Sequence, residues 1–300
     1  PEVERLTSKD FLDSLNLKSN TEPKPFSAEP SQLPSLISAA LPTLLRGGSG
    51  VFAEGHRLSI VAKNTSQYSV LTVGNFQVLE SSSSIRGAQQ PLILYDVENR
   101  ADCRLIREAL CMLSLPVSIV PCPKGGTQER DQQNHAPRPV PYLSDPNTGI
   151  TLSKRNDMLR YLFTTYGTGQ IPWTLGGQQN NDRSIPMWTA RVGVVWGRGG
   201  AGGTARPSAP PSQPLTLWTY ESSPFCTLVR ETLGELDIPY ISVSCPRGSP
   251  NRQRLFELTG RFQAPCLQDP NNGVTLFESK AICEYLETVY GIRPSPVKYL

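Results

Sequence analysis

The chain carries the same sequence pattern twice, and this duplication constrains its fold more than any other feature. Residues 94–123 align without a gap with residues 217–246, and about 12 of 30 positions are identical. Residues 141–167 likewise align with residues 265–291, and about 13 of 27 positions are identical. Self-similarity on this scale marks a duplicated structural unit. We therefore expect two domains of one fold.

Each copy shows the same order of predicted elements. In the first copy, residues 91–97 and 117–121 are predicted strands, and residues 101–113 are a predicted helix with apolar side chains on one face. Two short strands follow, joined by the Asp-Pro-Asn-Thr-Gly turn at 145–149, and an apolar helix ends the unit. The order is βαβ, then a hairpin, then a helix, which indicates an α/β fold.

Composition sets the remaining domain boundaries. Half of the residues in 197–214 are Gly or Pro, a composition typical of linkers rather than cores. We expect an N-terminal extension over 1–90, a first domain over 91–167, a linker over 168–214 and a second domain over 215–300.

Charge and cysteine usage narrow the function classes. A net charge of +3 gives no reason to expect a nucleic-acid partner. Seven cysteines without regular spacing indicate reduced thiols in a reducing compartment, and with only two histidines we expect no metal site. No apolar run approaches the roughly 18 residues of a membrane-spanning helix.

The extension and the linker each contain an apolar segment. Residues 33–45 and 185–196 show helical periodicity, and each is followed by an Arg-Gly-Gly tripeptide, at 46–48 and 198–200. These segments could cover their own domains, dock on a partner or lie at a membrane surface. Between residues 58 and 79, we expect two or three short strands that form a hairpin added to the first repeat.

Three motifs of the second copy resemble a known pattern. A Ser-Pro-Phe-Cys motif at 223–226 precedes its first helix, Ala264-Pro265 opens its third strand, and Glu278-Ser279 opens its last helix. This pattern resembles the N-terminal domain of glutaredoxins and glutathione transferases. The resemblance implies two tandem thioredoxin-like domains, with cis peptide bonds at Pro265 and at the equivalent Pro141.

The whole layout resembles the tandem glutathione-transferase N-terminal-domain proteins of plant and algal plastids. Shared features are the Asp-Pro-Asn-Thr-Gly turn, the Cys-Pro end of the second strand and the Arg-Gly-Ser-Pro-Asn-Arg-Gln segment at 247–253. This resemblance implies a place in the chloroplast stroma or at the thylakoid surface.

The resemblance to glutathione transferases assigns roles to the second copy. Ser223 would donate to the glutathione sulfur, Ala264-Pro265 would pair with the cysteinyl backbone, and Glu278-Ser279 would hold the γ-glutamyl carboxylate. Cys226 is the remaining thiol of the helix motif, and Cys266 could be redox-sensitive if it is solvated. Each has a structural alternative: Ser223 as a helix N-cap, Glu278-Ser279 as a helix start, and both cysteines as packed thiols.

The first copy lacks the side chains of that site. Arg100 replaces Ser223, and Lys154-Arg155 replaces Glu278-Ser279. Neither copy retains the first cysteine of a dithiol motif, so a dithiol–disulfide cycle is not available within either motif. We therefore expect the first copy to be structural.

Two hypotheses for function follow. In the first, the chain is a catalytically degenerate interaction protein, a peripheral subunit or assembly factor of a plastid, thylakoid-associated complex. It would need no obligatory cofactor, would bind protein partners, and could contact a membrane surface through 33–45 and 185–196. In the alternative, it is a glutathione-dependent thiol transferase or oxidoreductase acting through the second domain, with glutathione as its cofactor.

Overall fold

The structure, a computed structural model, describes residues 12–15, 17, 22, 30–128, 139–177, 188–190 and 198–292. Its helices are α1 (Leu33–Leu45), α2 (Ala101–Met112), α3 (Arg155–Tyr166), α4 (Pro224–Glu235), α5 (Pro250–Thr259) and α6 (Ser279–Val289). Its strands are β1 (His56–Ala62), β2 (Leu71–Val73), β3 (Phe76–Ser82), β4 (Leu92–Asp96), β5 (Pro116–Pro121), β6 (Tyr142–Asp145), β7 (Ile150–Leu152), β8 (Leu215–Thr219), β9 (Tyr240–Ser244), β10 (Cys266–Asp269) and β11 (Val274–Phe277).

Each repeat forms a thioredoxin-like unit, as the sequence predicts. In the first unit, β4 and β5 are parallel and connected by α2, and β6 and β7 add antiparallel strands before α3. The second unit repeats this order with β8, α4, β9, β10, β11 and α6. The predicted fold class, α/β with two tandem thioredoxin-like domains, is confirmed.

The second unit has one helix that the element pattern did not predict. Helix α5 lies between β9 and β10, where Ser249 accepts a hydrogen bond from the backbone of Asn251 and Pro250 occupies the first turn. Gly260, with φ of +73°, ends it in the left-handed conformation that glycine tolerates. The same region of the first unit lies largely outside the described residues.

Both units share one eight-stranded sheet with the order β11-β10-β8-β9-β5-β4-β6-β7. The seam is an antiparallel pairing of β5 with β9, in which Ser118 lies opposite Ile241. These two residues are equivalent in the aligned repeats, so a pseudo-twofold axis passes between them. In isolated domains β5 and β9 would both be open edges, and their pairing removes that exposure.

The Arg-Gly-Gly segments tie the units together in the same symmetric way. Arg46 pairs with Glu108 on α2 at 2.5 Å, and Arg198 pairs with Glu231 on α4 at 2.5 Å. Beyond each arginine, the chain crosses to the opposite unit. There the backbone of Phe52 forms an isolated parallel β-bridge with Arg247, and Thr204 forms one with Lys124.

Part of the glycine-rich stretch after Arg198 is packed, although its composition is typical of linkers rather than cores. Gly202 is buried with φ of +76°, and a Cβ there would lie 2.8 Å from the Cβ of Glu98 and 3.1 Å from the Cα of Glu231. Glycine is required here because the backbone approaches both units closely. The low side-chain volume that suggests a linker thus permits close packing.

The strands predicted in the extension form a separate three-stranded sheet with the order β1-β3-β2. The prediction that they join the first repeat is wrong, because this sheet packs on the second unit. The Tyr68 ring lies 5.2 Å from the Phe262 ring, and Arg247 donates to the buried carboxylate of Glu80 at 2.7 Å. A buried carboxylate needs a cation, and the second unit supplies it.

Helix α1 follows the predicted 33–45 segment and runs through Pro42. It packs on α4 of the second unit, with Leu36 and Ala39 buried and Ile37 and Leu44 exposed. Of the segment 185–196, only residues 188–190 are described, and they are helical. Within the described ranges, no helix is long and apolar enough to cross a membrane.

Candidate functional site

The sheet register brings the candidate residues of the second unit to one end of the sheet. Strand β10 begins at Cys266, directly after Pro265, and pairs there with the carboxyl ends of β8 and β11. Ser223 caps α4 shortly after β8, and Ser279 begins α6 directly after β11. The peptide bond before Pro265 is cis, as is the bond before the equivalent Pro141.

Ser223 serves as the N-cap of α4. Its Oγ accepts a hydrogen bond from the backbone N–H of Cys226 at 3.3 Å, and only 2% of the residue is exposed. A capping hydroxyl satisfies one of the free N–H groups of the first turn. The local chemistry of Ser223 is therefore explained without a ligand.

The thiols near this end of the sheet are buried. Cys226 and Cys266 are both fully buried, and burial raises the pKa of Cys266 to about 12. Burial likewise raises the pKa of Cys111, on the facing helix of the first unit, to about 12. Because the thiolate is the nucleophilic form, Cys111 and Cys266 are poorly reactive at neutral pH.

The Glu278-Ser279 pair has an unusual backbone. Glu278 has φ of +71°, which is strained for a residue with a side chain, and its carboxylate accepts a hydrogen bond from Gln263 at 2.5 Å. Ser279 is 1% exposed, and the Gln32 amide donates to its Oγ at 3.4 Å. The hydroxyl proposed to hold a ligand carboxylate thus contacts the N-terminal extension.

The extension covers this end of the second unit along α1. Thr43 Oγ donates to the carbonyl of Ser222, next to Ser223, at 3.2 Å, while Gln32 lies at Ser279 just before α1. The motif spacing could not reveal Gln32 and Thr43, because nothing in their local sequence marks them. Only the packing of a remote segment places them here.

In the first unit, an ion pair spans the equivalent position. Arg155, which aligns with Ser279, pairs with Asp102 in the first turn of α2 at 2.6 Å. Arg100, which aligns with Ser223, makes no side-chain capping bond to α2. The ion pair therefore links the N-termini of α2 and α3, which are the two helix starts that a ligand of the first unit would have to contact.

A buried ion cluster lies at the seam between the units. Arg230 donates to Glu98 across the seam at 3.0 Å, and the equivalent Arg107 donates to Glu221 at 3.2 Å. Arg107 also binds Asp96 at 2.8 Å, and all five residues are buried. The aligned repeats contained a signal for this cluster, since the glutamate and the arginine are identical in both copies.

The two equivalent glutamates differ in their electrostatics. Burial outweighs the attraction of Arg107 and Arg230 and raises the pKa of Glu98. At Glu221 burial is outweighed by those two arginines together with Arg104, 3.7 Å away, and the pKa is lowered. The duplicated pair is thus symmetric in geometry but not in charge environment.

Within the described part of the chain, no group of His, Cys, Asp and Glu could hold a metal ion.

Two regions, residues 94–170 and 217–294, match the family model described as glutathione S-transferase, N-terminal domain, and together they cover just over half of the chain. The chain belongs to the glutathione S-transferase N-terminal domain family. Membership in this family accounts for the fold, and the activity must be argued from the site itself.

A curated relative belongs to the same group. The glutathione S-transferase-like protein OpS6 of Beauveria bassiana is 33% identical over 78 residues, which are 26% of this chain and 36% of that protein. The chain thus matches only about a third of the relative's length. No solved structure matches the chain.

Proposed function

We propose that this glutathione S-transferase N-terminal-domain protein is a non-catalytic interaction protein whose ligand groove is covered by its own N-terminal segment. The contact of Gln32 with Ser279, at the start of α6, carries this proposal. Since α1 follows directly and packs on α4, one segment contacts both helices that a glutathione molecule would need. A ligand could reach Ser223 and Ser279 only after α1 moved.

The polar chemistry of the site favours the same function. Ser223 is 2% exposed, which limits the access of a ligand to its O–H, and the fully buried Cys226 offers no accessible thiol. In the first unit, the Arg155–Asp102 pair replaces the ligand-binding side chains. Neither unit presents an accessible nucleophile at this position.

Glutathione titration of the full chain tests this proposal. Calorimetry at millimolar glutathione is expected to show no saturable heat for the wild type. A Gln32→Ala and Thr43→Ala double variant tests whether α1 limits access, with the exposed Thr288→Ala at the C-terminal end of α6 as a control. Saturable binding by the wild type that is abolished in Ser279→Ala would contradict a closed groove.

A second candidate function is a glutathione-dependent thiol transferase or oxidoreductase. The placement of Pro265 and Ser279 at the same end of the sheet favours it, together with the strained backbone of Glu278. Glutathione would be its cofactor. Turnover that is lost in Ser223→Ala and in Cys226→Ala, with an unchanged fold, would favour this function over the first.

The cellular role proposed here is that of a peripheral subunit or assembly factor at the thylakoid of a plastid. The resemblance to plastid tandem-domain proteins motivates it, and exposed apolar side chains on α1, among them Ile37 and Leu44, offer a contact surface. We propose that α1 and the 185–196 segment, with the exposed Trp188, bind protein partners or the membrane surface. No nucleic-acid partner is proposed.

Fractionation of plastids tests this location. The protein, expressed from its complete gene with a fluorescent protein at its C-terminus, is expected to enter plastids. It should be released from thylakoids by alkaline carbonate washing and not by high salt, because the exposed face of α1 is apolar. An Ile37→Gln and Leu44→Gln double variant should shift toward the stroma, whereas Ser38→Ala should not. Wild-type protein found entirely in the cytosol would exclude a plastid role.

A further inference from the structure

Strand β1 has a long free edge that the other described sheet ends do not have. It spans 7 residues, whereas β2 at the other end of the small sheet spans 3. The end strands of the large sheet, β7 and β11, span 3 and 4 residues. Short edge strands limit unwanted pairing, and a long edge strand without proline invites it.

The hydrogen-bond pattern shows which backbone groups of β1 face outward. Lys63 N–H donates to Asn75 at 2.8 Å, and Ser83 N–H donates to Gly55 at 3.3 Å, so the odd-numbered residues of β1 bond to β3. In antiparallel pairs the bonding residues alternate along each strand. The N–H and C=O groups of the even-numbered residues of β1 therefore point away from β3. No described strand pairs with them.

The two central residues of this set, Leu58 and Ile60, have apolar and exposed side chains. Leu58 is 63% exposed and Ile60 is 75% exposed. Further exposed apolar side chains on the same face are Leu71, Val73 and Phe76. Residues 56–79 contain no Asp or Glu, and their formal positive charges are Arg57 and Lys63.

We propose that a second copy of this chain occupies the edge, with β1 of one copy antiparallel to β1 of the other. The twofold axis passes at Ser59, so that Leu58 and Ile60 of one copy exchange backbone hydrogen bonds with Ile60 and Leu58 of the other. The two small sheets then form one sheet with a continuous apolar face. The interface is isologous and closes on itself, as a twofold dimer requires. It does not depend on the state of the glutathione groove.

Strand length and charge together select the register. An axis at Ser59, the centre of β1, pairs all 7 residues of the strand, whereas an axis one residue away leaves the strand ends unpaired. An axis at Ile60 would also pair the outward backbone groups, but it would place Arg57 directly opposite Lys63 of the second copy. Like charges in directly opposite positions destabilise a strand pair. With the axis at Ser59, Arg57 lies opposite Val61 and Lys63 lies opposite Gly55, so no like charges face each other.

A cysteine at the axis tests this register. The two Ser59 residues would form a non-hydrogen-bonded pair, whose Cα atoms lie about 4.5 Å apart, within the range that a disulfide spans. Full-length Ser59→Cys is expected to form a disulfide-linked dimer on mild oxidation, read on a non-reducing gel. Val61→Cys on the same face is the matched control and should not cross-link to itself. Equal cross-linking of both variants, or of neither, would overturn the proposal.

Light scattering during gel filtration tests the edge without a cross-link. The wild type is expected to be a dimer and Ile60→Pro a monomer, because the N–H that proline removes points outward and serves no bond within the sheet. Val73→Lys on the same face but on β2 should remain a dimer. An unchanged circular dichroism spectrum establishes that each variant is folded.

The remaining outcomes contradict edge pairing. A monomeric wild type would exclude the dimer. A dimer that is lost in Val73→Lys but kept in Ile60→Pro would assign the contact to the apolar face. Binding of a monomeric wild type to vesicles with anionic lipids, lost in Val73→Lys, would assign that face to a bilayer instead.

Discussion

Arg230 of the second domain donates to the buried carboxylate of Glu98 in the first domain at 3.0 Å. The equivalent Arg107 donates to Glu221 of the second domain at 3.2 Å, so each domain supplies a cation to a buried carboxylate of the other. Each glutamate also has an arginine of its own domain nearby, Arg107 at 3.4 Å from Glu98 and Arg230 at 3.3 Å from Glu221, so the seam adds a second cation to each buried carboxylate. The duplication has thus joined the two domains through one shared cluster of buried charges.

Substitution of one partner at the seam should therefore be severe. Arg230→Met is expected to lower the free energy of unfolding by about 3–5 kcal/mol, because Glu98 and Glu221 both lose a cation while remaining buried. Urea denaturation measures the change. Arg206→Met is the control, since its ion pair with Glu235 is partly exposed and is worth about 0–1 kcal/mol. Equal effects of the two variants would contradict the importance of the seam.

The capping role of Ser223 predicts a modest and purely structural effect. Ser223→Ala should lower the free energy of unfolding by about 1 kcal/mol, because one backbone N–H of α4 loses its partner. Ser249→Ala removes the equivalent cap of α5 and should cost a similar amount. Thermal denaturation of both variants provides the comparison. A loss of glutathione binding in Ser223→Ala alone would instead give Ser223 a ligand-binding role.

Three thiols should resist modification in the native protein, of which Cys111 and Cys266 are buried and Cys283 is half-buried. Burial raises the pKa of Cys111, Cys266 and Cys283 to about 12. At neutral pH the thiolate fraction of such a group is about one in 100,000. Alkylation by iodoacetamide, mapped by mass spectrometry, is expected to be slow at these three positions and fast after denaturation in urea. Rapid labelling of Cys266 in the native state would show that it is accessible.

Acidification should destabilise the fold through two equivalent aspartates. Burial alone would raise the pKa of Asp269, but hydrogen bonds from Tyr285 and Tyr290 outweigh it and lower the pKa. Asp145 is held in the same way. Because the pKa is lower in the folded state, the resulting stability is present above the unfolded pKa. It is lost as pH falls through the folded pKa.

The free energy of unfolding should therefore decline below about pH 4. Asp269→Asn is expected to weaken that decline while lowering stability at neutral pH, as chemical denaturation across a pH series would measure. The exposed Asp157→Asn is the matched control and should leave the slope unchanged. An equal slope in wild type and Asp269→Asn would remove Asp269 from the acid response.

The candidate site shows how far the motifs alone could lead. The motifs at Ser223, Pro265 and Ser279 mark three helix or strand starts, and the sheet register places those starts at one end of the second domain. Their burial could not be predicted, because it depends on Gln32 and Thr43 in a segment far away along the chain. Periodicity and spacing report local structure, and contacts between remote segments leave no local pattern.

The sequence by itself determined the duplication, the α/β fold of each copy and the family. These follow from the periodicity of apolar residues and from turns that both copies retain. Only the tertiary structure decided that β5 and β9 join in one sheet, that the small sheet packs on the second domain, and that Gly202 and Gly203 of the glycine-rich stretch are buried. The physical reason is that such contacts depend on which edges and charges remain unsatisfied once each copy has folded. Glu98 and Arg230 meet only when both copies are present.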